Sequence, residues 1–368
     1  MLFYITSELV LLAQTDDLAL RVLNNLGLSR LDGANIVLAD RESLNLLRQM
    51  PKLDDSARRA YQDTYLKSTT LHSIFELIDI QFYVTIDEKE SIKVGEKRII
   101  KVPYSDLDKR SLFNGAAILL ENFSEKYLYD HILDWYRKTN DLTSIKYKYN
   151  ILNGGGNCIS DYFSYLQNSN EVFCLAIVDS DRKYPDGPCG QTASQLEKVP
   201  KKTFICDYLM LNVRECENLA PLNILKEVCQ GDPNWENAYG DVENIHKTNA
   251  NCLLFLDYKK GLKEKNLHSY TDTMLNDYLK KILRDSQLLN EEEFRSIKER
   301  TEESFEEKNQ IIIHPLGNNV LDRIVENLNL KSKQGITLTE FNPEFLIQEW
   351  ERIGNVLLNW TCSLPHIA

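Results

Sequence analysis

Two pairs of carboxylates in this chain follow short apolar runs, and their spacing is the strongest chemical signal it carries. Glu121 comes directly after Ala116-Ala117-Ile118-Leu119-Leu120, with Glu125 four residues on. Asp179 comes directly after Phe173-Cys174-Leu175-Ala176-Ile177-Val178, with Asp181 two residues later. In an extended segment a spacing of two aims both side chains at one face. Converging carboxylates repel one another unless a divalent cation offsets their charge, and hard oxygen donors select magnesium or manganese. Taken singly, an Asp-x-Asp after a strand is more often a turn former or helix cap, and two glutamates four apart are more often a solvated helix face. It is their conjunction, with the triple glycine Gly154-Gly155-Gly156 between them, that points to a site.

These residues sit in a stretch where strands and helices alternate. After the run ending at Leu120, Ser124 is expected as the N-cap of a helix reaching about Arg137. A strand over 145–152, the glycine turn and a helix over 159–166 follow. The run 173–178 is too apolar for an edge and is expected in the middle of a parallel sheet covered on both faces. The order β-α-β-α-β implies right-handed crossovers and a doubly wound core, in which ligands collect at the carboxyl ends of the strands. Residues 1–112 read as an N-terminal α/β unit, with strands at 2–5, 35–38, 82–86 and 98–102, a helical stretch at 17–26 and helices from 42 to about 78. Cys252-Leu253-Leu254-Phe255-Leu256 is a further strand candidate. Residues 263–368 read as helical: Leu267, Tyr270, Met274, Tyr278 and Ile282 recur at helix spacing, and residues 291–308 are expected as a solvated helix. Asn342-Pro343 is a good N-cap and N1 pair before an apolar face of Leu346, Trp350, Ile353, Leu357 and Trp360.

With 368 residues, 43% hydrophobic and 27% charged, the composition excludes disorder as the main state. Lys and Arg number 43 against 55 Asp and Glu, a net charge of -12. Uniform attraction to nucleic acid needs a positive field, so nucleic acid has to meet a bound cation, a partner chain or a local basic patch. The runs Lys198-Val199-Pro200-Lys201-Lys202 and Lys259 to Lys265 offer such patches, although solvated surface is their commoner role. No apolar run reaches the roughly 18 residues of a membrane span. The N-terminus reads as a short strand rather than a signal peptide, so a cytoplasmic location is expected. The eight cysteines contain no Cys-x-x-Cys pair and indicate neither a zinc ribbon nor a disulfide framework; reduced, mostly buried thiols are expected. The six histidines are scattered and receive no role.

The acid after one strand, the glycine turn and the later Asp-x-Asp together resemble the TOPRIM domain shared by topoisomerases, primases and several nucleases. The motifs are most similar to those of nucleases of the overcoming-lysogenization-defect family and their relatives in bacterial anti-phage systems. In that family the first motif runs Glu-Gly-x-x-Asp/Glu, a middle motif Gly-Gly-Lys-x-Asn, and a later block Arg-Glu-x-Glu-Asn. Here they read Glu121-Asn122-Phe123-Ser124-Glu125, Gly154-Gly155-Gly156-Asn157 and Arg214-Glu215-Cys216-Glu217-Asn218. Asn122 replaces the family glycine, and a left-handed Asn is expected to preserve that turn. Gly156 replaces a lysine, which removes one phosphate contact. The likeness covers about residues 114–262.

The resemblance implies an α/β fold with a TOPRIM-like, Rossmann-like parallel sheet core over 113–262, between the N-terminal unit and the helical C-terminal region. It implies Glu121, Asp179 and Asp181 as metal ligands and Glu125 and Glu217 in a second metal site, with Glu215 turned away from Glu217 if that segment is extended. The family's late lysine falls at Lys259 or Lys260, with a solvated pair at a strand end as the even alternative. Gly154, Gly155 and Gly156 either let substrate phosphate approach or form a plain tight turn. The implied chemistry is Mg2+- or Mn2+-dependent hydrolysis of phosphodiesters in DNA or tRNA, as the toxic effector of an anti-phage system. No Gly-x-x-x-x-Gly-Lys-Ser/Thr occurs in the chain, so a separate ATPase chain is the expected partner. The N-terminal unit and helical tail are expected to serve docking or homo-oligomerisation. The alternatives are an inactive TOPRIM-like regulatory subunit, which Asn122 and Gly156 allow, and a primase or topoisomerase type enzyme, for which no zinc ribbon or marked tyrosine speaks.

Overall fold

The computed structural model describes residues 1–367 apart from 88, 96, 202, 308, 336, 337 and 339–343. The chain opens with β1 (Leu2–Ile5), α1 (Ser7–Leu12), α2 (Asp17–Leu31), β2 (Ile36–Ala39), α3 (Arg41–Leu47), α4 (Asp55–Leu66), α5 (Ser68–Leu77), β3 (Ile80–Thr85), β4 (Glu90–Val94) and β5 (Lys97–Pro103). These strands form a sheet of order β2-β1-β3-β5-β4, parallel except for the β4–β5 hairpin. Asp16 and Asp40 cap α2 and α3 through their carboxylates, which explains why those helices start where they do.

Next come β6 (Ala116–Leu120), α6 (Glu125–Thr139), β7 (Lys146–Tyr147), β8 (Tyr149–Asn153), α7 (Ile159–Ser169), β9 (Cys174–Val178), α8 (Gln191–Glu197) and β10 (Cys206–Met210), of which β6, β8, β9 and β10 form the second sheet. Its order is β10-β9-β6-β8, and every pairing is parallel. All five residues of both β6 and β9 are buried, as apolar runs in central parallel strands must be. From β6 the chain steps to β8 on one side, then returns across β6 to β9 and β10 on the other. The direction of winding therefore reverses between β6 and β9, the switch point where open α/β sheets leave a crevice beyond the strand ends.

The remainder comprises α9 (Leu222–Cys229), α10 (Pro233–Thr248), β11 (Leu262–Lys263), α11 (Glu264–Ser269), α12 (Thr273–Asp285), α13 (Glu291–Glu299), α14 (Ser304–Glu307), β12 (Ile311–Ile313), α15 (Val320–Lys333), α16 (Phe345–Thr361) and β13 (Cys362–Ser363). Leu346, Trp350, Ile353, Leu357 and Trp360 of α16 are all buried, and α16 packs along α6. Phe173 of the second sheet meets Phe3 and Phe82 of the first, with ring centroids 5.5 and 5.1 Å apart, and Phe82 meets Trp360 at 5.8 Å. N-terminal unit, central sheet and C-terminal helix thus share one hydrophobic core.

Several local expectations are corrected. The strand expected at 252–256 is instead a 3-10 segment, Ala250–Phe255. Its backbone is committed elsewhere: Leu254 O accepts from Arg214 N at 2.8 Å, and Leu253 O and Leu256 O accept from the Asn218 side-chain amide at 2.8 and 3.0 Å. The solvated helix expected over 291–308 is two helices, α13 and α14, and α13 buries Phe294 and Ile297 while Lys298 Nζ donates to the carbonyls of Leu267, His268 and Tyr270. The Asn342-Pro343 cap lies outside the described residues. The eight cysteines are free, and all but Cys158 and Cys189 are buried.

Candidate metal centre

The carboxyl ends of the parallel strands bring the acidic residues together. Glu121 leaves β6, and its Oε1 accepts the backbone N–H of Asp179, which leaves β9, at 3.1 Å. Glu125 opens α6; its Oε1 accepts the Asn122 N–H at 3.0 Å and it is buried. This bond closes the turn, and Asn122 does not take the left-handed conformation expected of it. Beyond β9 the chain is tied to the segment after β10. Ser180 Oγ donates to Val213 O at 2.6 Å, and Asp181 N donates to Arg214 O at 2.8 Å. That tie carries Glu215 and Glu217 to the same edge.

Glu215 and Glu217 do not diverge as an extended segment would require. Cys216–Leu219 is a 3-10 turn, and both carboxylates face Lys259, whose Nζ lies 2.9 Å from Glu217 Oε1 and 3.5 Å from Glu215 Oε2. Beside them Arg214 Nη2 pairs with Asp257 Oδ2 at 2.8 Å. Lys260 is exposed and its backbone N–H donates to Asp257 Oδ1 at 2.8 Å; among the described residues Lys259 is the lysine that joins the set.

Asp179 and Asp181 do not lie in the extended segment expected of them. Asp181 has φ +54°, a left-handed conformation that breaks the extended geometry, and it borders a cavity of about 390 Å³. Gly154 donates to Leu120 O at 2.7 Å, next to Glu121. Gly155 and Gly156 have φ of +64° and +62°, so the triple glycine meets a backbone demand that other residues satisfy poorly. In the basic run, Lys201 pairs with Asp207 at 2.6 Å; Lys202 is outside the described residues.

The set is electrostatically loaded. Burial raises the carboxyls of Glu121 and Asp179 above the ordinary range, Asp179 strongly; the charges of Glu125, Glu121, Glu217 and Glu215 push Asp179 further, while for Glu121 the Asp179 N–H pulls against burial and the charge of Asp181 adds to it. Burial, then the charge on Glu121, pushes Glu125 up to about 8. Glu215 is also raised by burial, against the pull of Lys259. Burial acts to lower Lys259, but Glu217 and Glu215 together outweigh it and hold the ammonium above its usual value. Among the described residues, Asp179 Oδ1 and Glu217 Oε2 are buried without a hydrogen-bond partner, and Glu215 Oε2 has only the Lys259 ammonium at 3.5 Å.

Unpaired buried carboxylate oxygens are costly unless protonated or met by a cation, so the donor set fits a hard divalent ion. The carboxylates are not arranged as a finished shell: among the described residues no group of three or more Asp, Glu, His or Cys side chains stands ready to hold a metal ion. Two features escaped the sequence reading. Tyr129, one turn beyond Glu125, is fully buried with an unpartnered hydroxyl and feels the charges of Glu125 and Asp179; its i+4 spacing was the available signal. Gly190 packs so closely on Asp181 that a Cβ there would lie 2.3 Å from Asp181 Cβ and Oδ2, a contact with no local signature.

No protein-family model matches the chain, and neither a curated protein nor a solved structure matches it. Among the described residues no helix is long and apolar enough to cross a membrane.

Proposed function

We propose that this chain is a magnesium- or manganese-dependent nuclease of the TOPRIM type that hydrolyses phosphodiester bonds in nucleic acid. The observation that carries the reading is the convergence of Glu121, Glu125, Asp179, Glu215 and Glu217 at the switch point of a parallel sheet, with Asp179 Oδ1 and Glu217 Oε2 buried and unpartnered. Glu121, Asp179 and Asp181 would hold one ion, and Glu125 and Glu217 a second. When bound, magnesium would supply Lewis-acid activation of water and neutralise charge on the phosphoryl oxygens. In the metal-free chain Glu125, raised to about 8, holds a proton beside Glu121 that an arriving ion would displace. Lys259, kept charged by Glu215 and Glu217, is placed to offset negative charge that develops on the phosphate. The anti-phage effector role, and control by a separate ATPase chain, rest on the motif resemblance. Incubation of the purified chain with plasmid, single-stranded DNA and tRNA, in magnesium, manganese or chelator, tests the reading. Metal-dependent cutting that Glu121→Gln and Asp179→Asn abolish is expected; absence of cutting, or equal cutting by both variants, overturns it.

The second reading, an inactive TOPRIM-like regulatory subunit, is favoured by one observation: Lys259 already pairs with Glu217, so part of the carboxylate charge is met internally. Calorimetry with magnesium separates the two, since such a subunit would bind the ion no better than an ordinary acidic surface.

A further inference from the structure

We propose that the cavity beside Asp181 receives an unstacked nucleobase next to the scissile phosphate, so that the substrate is single-stranded nucleic acid; the position of that phosphate rests on the nuclease reading above. The cavity holds about 390 Å³, within the roughly 300–1,000 Å³ of small-ligand pockets, and Asp181, whose N–H donates to Arg214 O at 2.8 Å beside Glu215, joins it to the carboxylate edge. Its chemistry excludes a phosphate. Lys183, the one ammonium in its lining, lies over the Tyr270 ring and is balanced by Asp272 even when Asp181 is committed to an ion, so no net positive charge remains there to draw an anion. What the walls offer instead is aromatic surface. Tyr184 is fixed by a 2.9 Å hydrogen bond from its hydroxyl to Asp272 Oδ2, and Tyr270 carries Lys183 Nζ 4.6 Å from its ring centroid. Aromatic walls with a few fixed polar groups and no spare positive charge suit a planar, uncharged, hydrogen-bonding ligand.

A second observation lies on the Glu121 side. Phe123 and Tyr127, in the turn and first helical residues after Glu121, are 51% and 46% exposed, contact each other edge to face at 6.2 Å, and have Lys126 Nζ 5.3 Å from the Tyr127 ring. Large aromatics at such exposure beside a phosphate-handling edge are the surfaces on which single-stranded bases stack. A duplex keeps its bases stacked on each other and presents no free face to either surface.

The experiment is fluorescence anisotropy on the full chain in chelator, with a labelled short DNA single strand and the same sequence as duplex, so that no cutting is needed. The single strand is expected to bind at least about tenfold tighter than the duplex. Tyr270→Ala should weaken single-strand binding by roughly tenfold, and Tyr270→Phe should restore it. Lys183→Ala, a change at an exposed side chain, should weaken it less but measurably, which keeps the test decisive if Tyr270→Ala misfolds. Equal or tighter duplex binding, or single-strand binding untouched by both Tyr270→Ala and Lys183→Ala, overturns the proposal. Tyr270-dependent binding without metal-dependent cutting would sink the nuclease reading alone, and cutting that ignores Tyr270 and Lys183 would sink this inference alone.

Discussion

The backbone N–H of Asp179 donates to Oε1 of Glu121 at 3.1 Å, so the acid that leaves β6 is held by the chain that leaves β9. The bond needs an oxygen and not a charge. Glu121→Gln retains an acceptor there while it removes one negative charge from a group of buried carboxylates. Its stability in chelator, read by thermal denaturation, should match or exceed the parent's, by up to about 1 kcal/mol for the burial and repulsion relieved. Metal-dependent cleavage should fall by about 100-fold or more, since even residues that merely support a metal's ligands cost about 10- to 100-fold. A variant as stable as the parent that still cuts would show that Glu121 acts as a structural acceptor only.

The same carboxylates give the metal-free protein an unusual pH dependence. Glu121, Glu125, Asp179 and Glu215 hold protons more tightly folded than unfolded. Their stabilisation is therefore complete in acid, below the ordinary carboxyl range, and is lost as pH rises through the folded-state values, up to about 8 for Glu125. The slope is about 1.4 kcal/mol per pH unit for each proton released. Asp207, which burial would raise but Lys201 and Arg98 hold below its ordinary 3.8, acts in the opposite sense and only at lower pH. Melting in chelator should show a midpoint that falls from about pH 6 to about pH 8, and Glu125→Gln should flatten the fall. A flat parent curve would mean that these carboxyls are already ionised.

How much of this was readable beforehand depends on what kind of signal each feature leaves. The buried strands β6 and β9 announce themselves because five consecutive apolar residues before an acid leave few other options, and the carboxylates that follow them do meet. Cys252 to Leu256 carries the same apolar signature yet forms a 3-10 turn, because a short buried run does not disclose its backbone hydrogen bonds and here Asn218 and Arg214 take them. The loss of extended geometry between Asp179 and Asp181 arises from a single left-handed residue, and the convergence of Glu215 and Glu217 on Lys259 from a turn where an extended segment was expected. Both are set by contacts between loops distant in sequence, which periodicity cannot report.

Lys259 sits where a cation would have to balance Glu217, a carboxylate only 1% exposed. Lys259→Met leaves that carboxylate unpaired and should destabilise the metal-free chain by about 3 kcal/mol. If the ammonium and the metal answer the same charges, magnesium should raise the melting point of Lys259→Met more than that of the parent. Equal magnesium shifts in both, read by thermal denaturation across a metal titration, would place the ion elsewhere. Lys260→Ala, at an exposed side chain, should change stability by no more than about 0.5 kcal/mol.

Gly190 offers the sharpest test of how Asp181 is held. Its φ of -63° and ψ of 173° are open to any residue, so an added methyl carries no backbone strain. The cost is purely steric: a Cβ would lie 2.3 Å from Asp181 Cβ and Oδ2, and the Gly190 N–H is tied to Ser180 O at 2.8 Å, so neither side can withdraw without disturbing the loop after β9. Gly190→Ala should therefore destabilise by about 1–3 kcal/mol, as overpacking does, and should impair metal-dependent cleavage by displacing Asp181. Trimming the obstacle reverses the first effect but not the second. In an Asp181→Gly background, Gly190→Ala should cost well under 1 kcal/mol, giving a coupling energy of at least about 1 kcal/mol in a double-mutant cycle, while cleavage stays low. Additive stabilities in that cycle would show that Gly190 and Asp181 do not constrain each other, and that the left-handed turn at Asp181 is imposed from elsewhere.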